Sequence, residues 1–197
     1  AFADKVLQAA KDSGTVSVDE LMSCEVEGGT LEVVRTALIA KIGENIQVRR
    51  ITQLSTDEGI FAHYLHGVKI GVVVNLSKDD EELAKDIAMH VAAVNPEFVK
   101  EADVPAEVVA KEKEILMAQV EDSGKPAEIV EKMITGRLRK FLAGITLYGQ
   151  PFVKDPDVTV EKLLKSSGAN VLSFSRMEVG EGIEKKVDNF AEEVMAQ

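Results

Sequence analysis

The sequence predicts an α+β fold in which small antiparallel sheets pack with helices, a helical hairpin is inserted, and a helix closes the chain. Three observations carry that expectation. Val68, Ile70, Val72, Val74 and Leu76 alternate without interruption, and Gly59 to Leu65 precedes them as a partner strand. Two long apolar helical runs sit together between Asp103 and Leu147. Ile42-Gly43-Glu44 returns late in the chain as Val179-Gly180-Glu181, which suggests two related half-units with something inserted between them.

The elements follow in order. Ala1 to Leu7 is helical in pattern, with Phe2, Val6 and Leu7 on one side, and Asp12-Ser13-Gly14 ends the helix. No capping residue or methionine precedes it, so the chain reads as a piece whose upstream part has been removed. Ser17-Val18-Asp19-Glu20 has capping-box spacing and starts a short turn through Met22. Glu27-Gly28-Gly29 is a loop. Thr30 caps the next helix, with Leu31, Val34, Leu38 and Ile42 at spacings of three and four, and Gly43 stops it. Ile46 to Leu54 reads as extended.

The hairpin 60–76 is expected to turn at His66-Gly67, with positive φ at both positions and His66 at an exposed tip. Asp79 to Val94 is a helix with Asp79, Asp80, Glu81 and Glu82 at its positive end and Leu83, Ile87 and Val91 as its buried stripe. Asn95-Pro96 terminates it. The first run of the 103–147 region carries Val108, Val109, Ile115, Leu116 and Val120; the second carries Val130, Ile134, Leu138, Phe141 and Ile145. Each helix would be roughly 25 Å long. So little surrounds this pair that it is expected to project and seek a partner, most simply a second copy. Beyond it, Thr159 caps a short helix ended by Gly168, Asn170 to Val179 is a strand, and Val187 to Ala196 is a final helix with Phe190 and Val194 on one face.

Composition bounds the function. The 197 residues hold 45% apolar and 29% charged side chains, as a globular chain does. A net charge of −11 argues against duplex nucleic acid or an anionic membrane as main partner. Aromatic residues at 5% and the absence of tryptophan leave few stacking platforms for single strands. Cys24, the one cysteine, has no partner for an internal disulfide, which fits a reducing cytosol. No phosphate-binding loop, dinucleotide fingerprint or serine triad is present, and no cofactor is expected. His63 and His66 point to opposite faces at strand spacing, so no metal pair is expected. His90, late in its helix, reads as a dipole partner or packing residue. Residues alone therefore give a soluble α+β binding domain.

Several segments go further together. Lys41-Ile42-Gly43-Glu44-Asn45-Ile46 with Arg49-Arg50, then His66-Gly67 and Ile70-Gly71-Val72, resemble the core of bacterial translation elongation factor Ts. So do Ile87 to Ala93, Gly149-Gln150-Pro151-Phe152 and Glu178 to Lys185, and the match runs through the whole chain in order. The resemblance implies guanine-nucleotide exchange on elongation factor Tu in the cytoplasm, by protein contact rather than catalysis. It implies a core with residues 1–58 as its first part and 59–98 with 148–182 as its second. It also implies an inserted dimerisation hairpin at 99–147 and a C-terminal module at 183–197.

Partner contacts carried over by the resemblance fall on Ile42, Gly43, His66, Gly67 and Val153, with Phe190 in the terminal module. Read without it, Ile42 and Val153 are ordinary core, Gly43 a helix stop and His66-Gly67 a turn. The homodimer would use Val109, Leu116, Val120, Val130, Ile134, Leu138 and Phe141. The family's Thr-Asp-Phe-Val stretch and small N-terminal helical domain are not in this sequence, so reduced exchange with retained binding is expected. The competing expectation is a dimeric, non-catalytic scaffold that binds other proteins.

Overall fold

A computed structural model describes residues 1–120 and 126–183. The fold is mixed α and β with small antiparallel sheets, and it divides into two compact units, residues 1–55 and 56–197.

The first unit is mainly helical. α1 (Phe2–Ser13) ends at Gly14, whose left-handed φ of 66° lets its N–H reach the Ala10 carbonyl. Its buried stripe is Phe2, Val6 and Ala9, not Phe2, Val6 and Leu7. Leu7 lies about 140° around the helix from Phe2 and is exposed. α2 (Val18–Met22) is capped by Ser17, but only half of the expected box forms. The Glu20 carboxylate turns to the Thr15 hydroxyl at 2.6 Å, and that hydroxyl accepts the Ser17 N–H.

The Glu27-Gly28 turn joins two short paired strands, β1 (Glu25–Val26) and β2 (Gly29–Thr30). The Thr30 hydroxyl accepts from the Val33 N–H to start α3 (Leu31–Ile42), and Gly43 stops it at φ 75°. Leu21 and Leu31 are the fully buried centre of this unit, and Val48 and Ile51 pack on them. Residues 43–55 thus contribute apolar anchors, but they form no strand: among the described residues no strand runs beside them. Apolar alternation is necessary for a strand, not sufficient; a ladder partner is also needed.

The second unit is built on a three-stranded antiparallel sheet ordered β3–β4–β7: β3 (Ile60–His66), β4 (Ile70–Leu76) and β7 (Val171–Glu178). His66 pairs with Ile70, so the hairpin loop has three residues, Gly67, Val68 and Lys69, instead of two. This corrects the expectation at His66, which is the last ladder residue; among the described non-glycine residues only Asn95 has positive φ. Gly67 alone supplies the left-handed step, at φ 58°, and Val68 moves from the strand to the tip.

α4 (Glu81–Val94) lies on the face of the sheet carrying Val72, Val74 and Leu76. Asp80 caps it by accepting from the Leu83 N–H at 3.1 Å. Leu83, Ile87 and Val91 are buried as expected, and Ala84 and Ala88 let the helix approach the strands closely. A buried aliphatic such as Ile87 contributes about 2–5 kcal/mol by truncation.

The chain then leaves the core through α5 (Ala106–Val120) and returns through α6 (Ala127–Ile145). The excursion is closed at its base. Phe98 bridges Thr146, the Glu97 and Phe98 N–H groups reach the Ile145 carbonyl, and Leu147 and Tyr148 donate to Phe98 and Val99. After it come β5 (Pro151–Phe152) and β6 (Asp155–Thr159), a short ribbon that the sequence reading did not assign. α7 (Val160–Ser167) follows, capped by the Thr159 hydroxyl and ended by Gly168.

Gly59 marks the tightest point of the sheet. Its φ is +79°, and a Cβ there would overlap the Leu76 carbonyl oxygen. Gly59→Ala is expected to cost at least about 3 kcal/mol in urea unfolding. Gly43→Ala, with similar φ but nothing within 4 Å, should cost only about 1 kcal/mol. Equal losses would show that φ strain, not the contact, governs both.

Candidate functional site

The described residues expected to touch a partner reach the surface. Ile42, in the first unit, is 46% exposed at the last position of α3, next to the Gly43 stop. Val153, in the second unit, is 42% exposed on the β5–β6 turn. The ordinary-core alternative is therefore excluded for both. His66 is exposed, with its Nδ1 3.4 Å from the Tyr64 hydroxyl. Gly67 starts the loop, and Val68 beside it is 93% exposed. Sequence reasoning missed Val68 because strict alternation assigned it to a strand. Leu65, Val179 and Ile183 are also exposed, and the Val179 N–H donates to the Lys69 carbonyl. That bond ties the end of β7 to the β3–β4 loop. Phe190 lies outside the described residues.

His66 and Val153 share a foundation. Tyr64, two residues before His66, and Phe152, just before Val153, both pack on the core cluster of α4 and the sheet. Under Val153 lies a buried chain of hydrogen bonds. The Val153 N–H donates to His90 Nδ1 at 3.2 Å. His90 Nε2 and Gln150 Oε1 are 2.9 Å apart, and Gln150 Nε2 donates to the Gly144 carbonyl at 2.6 Å.

The two backbone ends set every proton in this chain. A donor at Val153 requires a bare Nδ1, so the imidazole proton is on Nε2. An acceptor at Gly144 requires the Gln150 amide nitrogen, so its oxygen faces His90. His90 is fully buried, and burial pushes its pKa down, partly opposed by the Gln150 bond. A neutral imidazole of this kind packs and bonds; it is not a charged partner for the helix dipole. The apolar run around His90 and the nearby Gln-Pro-Phe were the only sequence signals for it.

A half-buried arginine sits beside the late glycine-glutamate repeat. The Arg176 guanidinium, on β7, contacts Glu178 at 2.7 Å and Glu181 at 3.9 Å. Gly180, at φ 82°, turns the chain so that Glu181 comes back to Arg176. Gly43 stops a helix while Gly180 follows a strand, so the likeness is one of turn chemistry.

In the hairpin, Leu116, Val120 and Ile134 are buried between α5 and α6, and Val130 and Leu138 pack on them. Val109 and Phe141 are half-buried. The two helices therefore satisfy much of their apolar surface against each other. Ile115, Met117 and Ile129 remain exposed.

No group of three or more His, Cys, Asp or Glu among the described residues could hold a metal ion. No described helix is long and apolar enough to cross a membrane. The described chain is thus an α+β core with apolar side chains displayed on turns and a helical hairpin anchored at its base.

The family model for elongation factor TS matches residues 1–181. Elongation factor Ts of Methylococcus capsulatus is 60% identical over all 197 residues, which cover 67% of that relative. The proteins of the same name from Alkalilimnicola ehrlichii and Halorhodospira halophila are 57% and 54% identical over the whole chain, covering 68% and 67% of their lengths. The chain belongs to the elongation factor Ts family, translation elongation factors of protein biosynthesis.

The lowered pKa of His90 fixes the sign of one pH effect. Its folded value lies below the ordinary 6.5, so its contribution to stability is complete above that pH and is lost as pH falls. Thermal unfolding should be flat in pH near neutrality and weaken below about pH 6.5, by at most about 1.4 kcal/mol per pH unit. His90→Leu should flatten that acid limb; an unchanged limb would assign it to other groups.

Proposed function

We propose that this chain is a guanine-nucleotide exchange factor for elongation factor Tu that works in the cytoplasm by protein contact. The observation that carries the reading is the family match over residues 1–181, together with the exposure of Ile42 and Val153. Ile42, Gly43, His66, Gly67 and Val153 supply the contacts in this reading, as does Phe190.

The mechanism is linkage. A factor that binds nucleotide-free elongation factor Tu more tightly than the GDP-bound form must weaken GDP binding by the same ratio. A thousandfold weakening requires about 4 kcal/mol of differential binding. Residues 1–197 supply binding surface in this proposal and only part of that difference. They also form a homodimer, with the hairpin as its interface. The exposed Met117, in an open groove it lines with Ala110 and Ala118, supports that role.

Stopped-flow release of fluorescent GDP from elongation factor Tu tests the exchange. Residues 1–197 should accelerate release, but less than a full-length relative; no acceleration together with no binding refutes the reading. His66→Ala and Val153→Asp should each weaken the effect about threefold to tenfold, with the fold unchanged by circular dichroism. Pull-down across a GDP titration separates exchange from a passive scaffold, since only the exchange complex is lost as GDP rises. Sedimentation should find a dimer that becomes a monomer when residues 105–147 are replaced by a short linker. A persistent dimer would move the interface elsewhere.

A further inference from the structure

The β5–β6 turn displays Val153 at the surface but is held from below at three consecutive residues. The Phe152 side chain is buried, its ring centre 6.0 Å from that of His90. The Val153 N–H donates to His90 Nδ1. The Lys154 ammonium contacts the Asp86 carboxylate at 2.6 Å. Asp86 and His90 are one helical turn apart, so they rise from the same face of α4. Every tether therefore ends on one rigid element, the helix whose other residues form the centre of the core.

We infer that His90 and Asp86 form a positioning clamp that fixes the β5–β6 turn so that Val153 is presented ready for docking. The inference rests on the reading that Val153 meets elongation factor Tu. Its physical basis is preorganisation. A turn that must be ordered at the moment of binding charges its conformational entropy against affinity, and one ordered beforehand does not. The clamp acts on the turn backbone and on Lys154, leaving the Val153 side chain free to make the contact.

His90 suits this task for a specific reason. Its Nδ1 accepts from the turn while its Nε2–H is consumed by Gln150, whose amide is anchored on the Gly144 carbonyl near the end of α6. The ring cannot rotate to satisfy another partner without leaving one of these groups unpaired. It therefore holds the turn in one geometry. Asp86 is less buried and adds a second, weaker tether.

The test compares wild type with His90→Leu, His90→Asn and Asp86→Asn in the full chain. Three quantities are read: exchange of the Val153 amide in the free protein, the unfolding temperature, and dissociation from nucleotide-free elongation factor Tu well below that temperature. His90→Leu should speed Val153 amide exchange and quicken dissociation about tenfold. His90→Asn places an acceptor where Nδ1 stood and should recover most of the slow dissociation, although the Gln150 contact remains lost. Asp86→Asn should quicken dissociation about threefold with little change in unfolding temperature.

A purely structural His90 would lower the unfolding temperature in both variants alike and leave dissociation unchanged, which overturns the inference. If His90→Leu does not fold, Asp86→Asn and His90→Asn decide alone: wild-type dissociation in Asp86→Asn with unprotected Val153 in wild type overturns it. Failure of wild type to bind elongation factor Tu would refute the functional reading instead. Protection of the Val153 amide then still decides whether the clamp exists.

Discussion

A neutral histidine at the centre of the core sets the terms for the second unit. His90 has no exposure, and both of its ring nitrogens are satisfied by groups about 60 residues away in sequence: Gln150 and the Val153 backbone. Burying an imidazole in apolar surroundings is costly unless both nitrogens are bonded. The fold meets that condition by bringing together three separate parts: α4, the last turn of α6 through Gly144, and the β5–β6 ribbon. If the returning helix α6 were displaced by one residue, the Gln150 amide would lose Gly144 and His90 would lose its acceptor. This bond chain therefore specifies how the excursion of residues 98–147 rejoins the core.

Around that point the remaining forces are ordinary. Val72, Val74 and Leu76 from β4 and Leu83, Ile87 and Val91 from α4 supply the apolar burial that drives collapse. Backbone bonds at Phe98, Val99 and Ile145 seal the base of the hairpin. Beyond the base, α5 and α6 bury Leu116, Val120 and Ile134 against each other, so the excursion carries a small core of its own. Two exposed surfaces bear on contact with other proteins. One is the set of exposed apolar residues on the hairpin, Ile115, Met117 and Ile129. The other is the set of turns on which His66, Val68 and Val153 are displayed. Turns on a rigid core suit reversible protein contact, because their backbones are already ordered.

Much of this was legible in the sequence where the signal was local. Thr30 and Thr159 cap helices that begin next to them, and Gly43 and Gly168 end helices through their own φ. The alternation of β4 needs no distant information. Legibility failed where the deciding partner was remote. Ile46 to Leu54 alternates but has no strand beside it, so its apolar residues anchor an irregular segment. The local signal placed a two-residue loop at His66-Gly67, but the register His66–Ile70, set by pairing along the whole ladder, makes the loop Gly67 to Lys69. Phe2, Val6 and Leu7 read as one side of a helix, yet only the stripe through Ala9 meets Leu21 and Leu31. For the site, Ile42 and Val153 were picked out by family resemblance, and the structure places both on the surface. The role of His90 lay beyond reach, since its partners come from residues 150 and 153.

The backbone groups of Val153 and Gly144, at the two ends of this hydrogen-bond chain, lock His90 as a neutral, Nε2-protonated imidazole. Nitrogen-15 NMR of the histidine side chains at neutral pH tests it most directly. The account predicts one imidazole with a bare Nδ1 and an Nε2 proton protected from solvent exchange. A proton on Nδ1, or an imidazolium in the same window, would contradict it, because neither can accept the Val153 N–H.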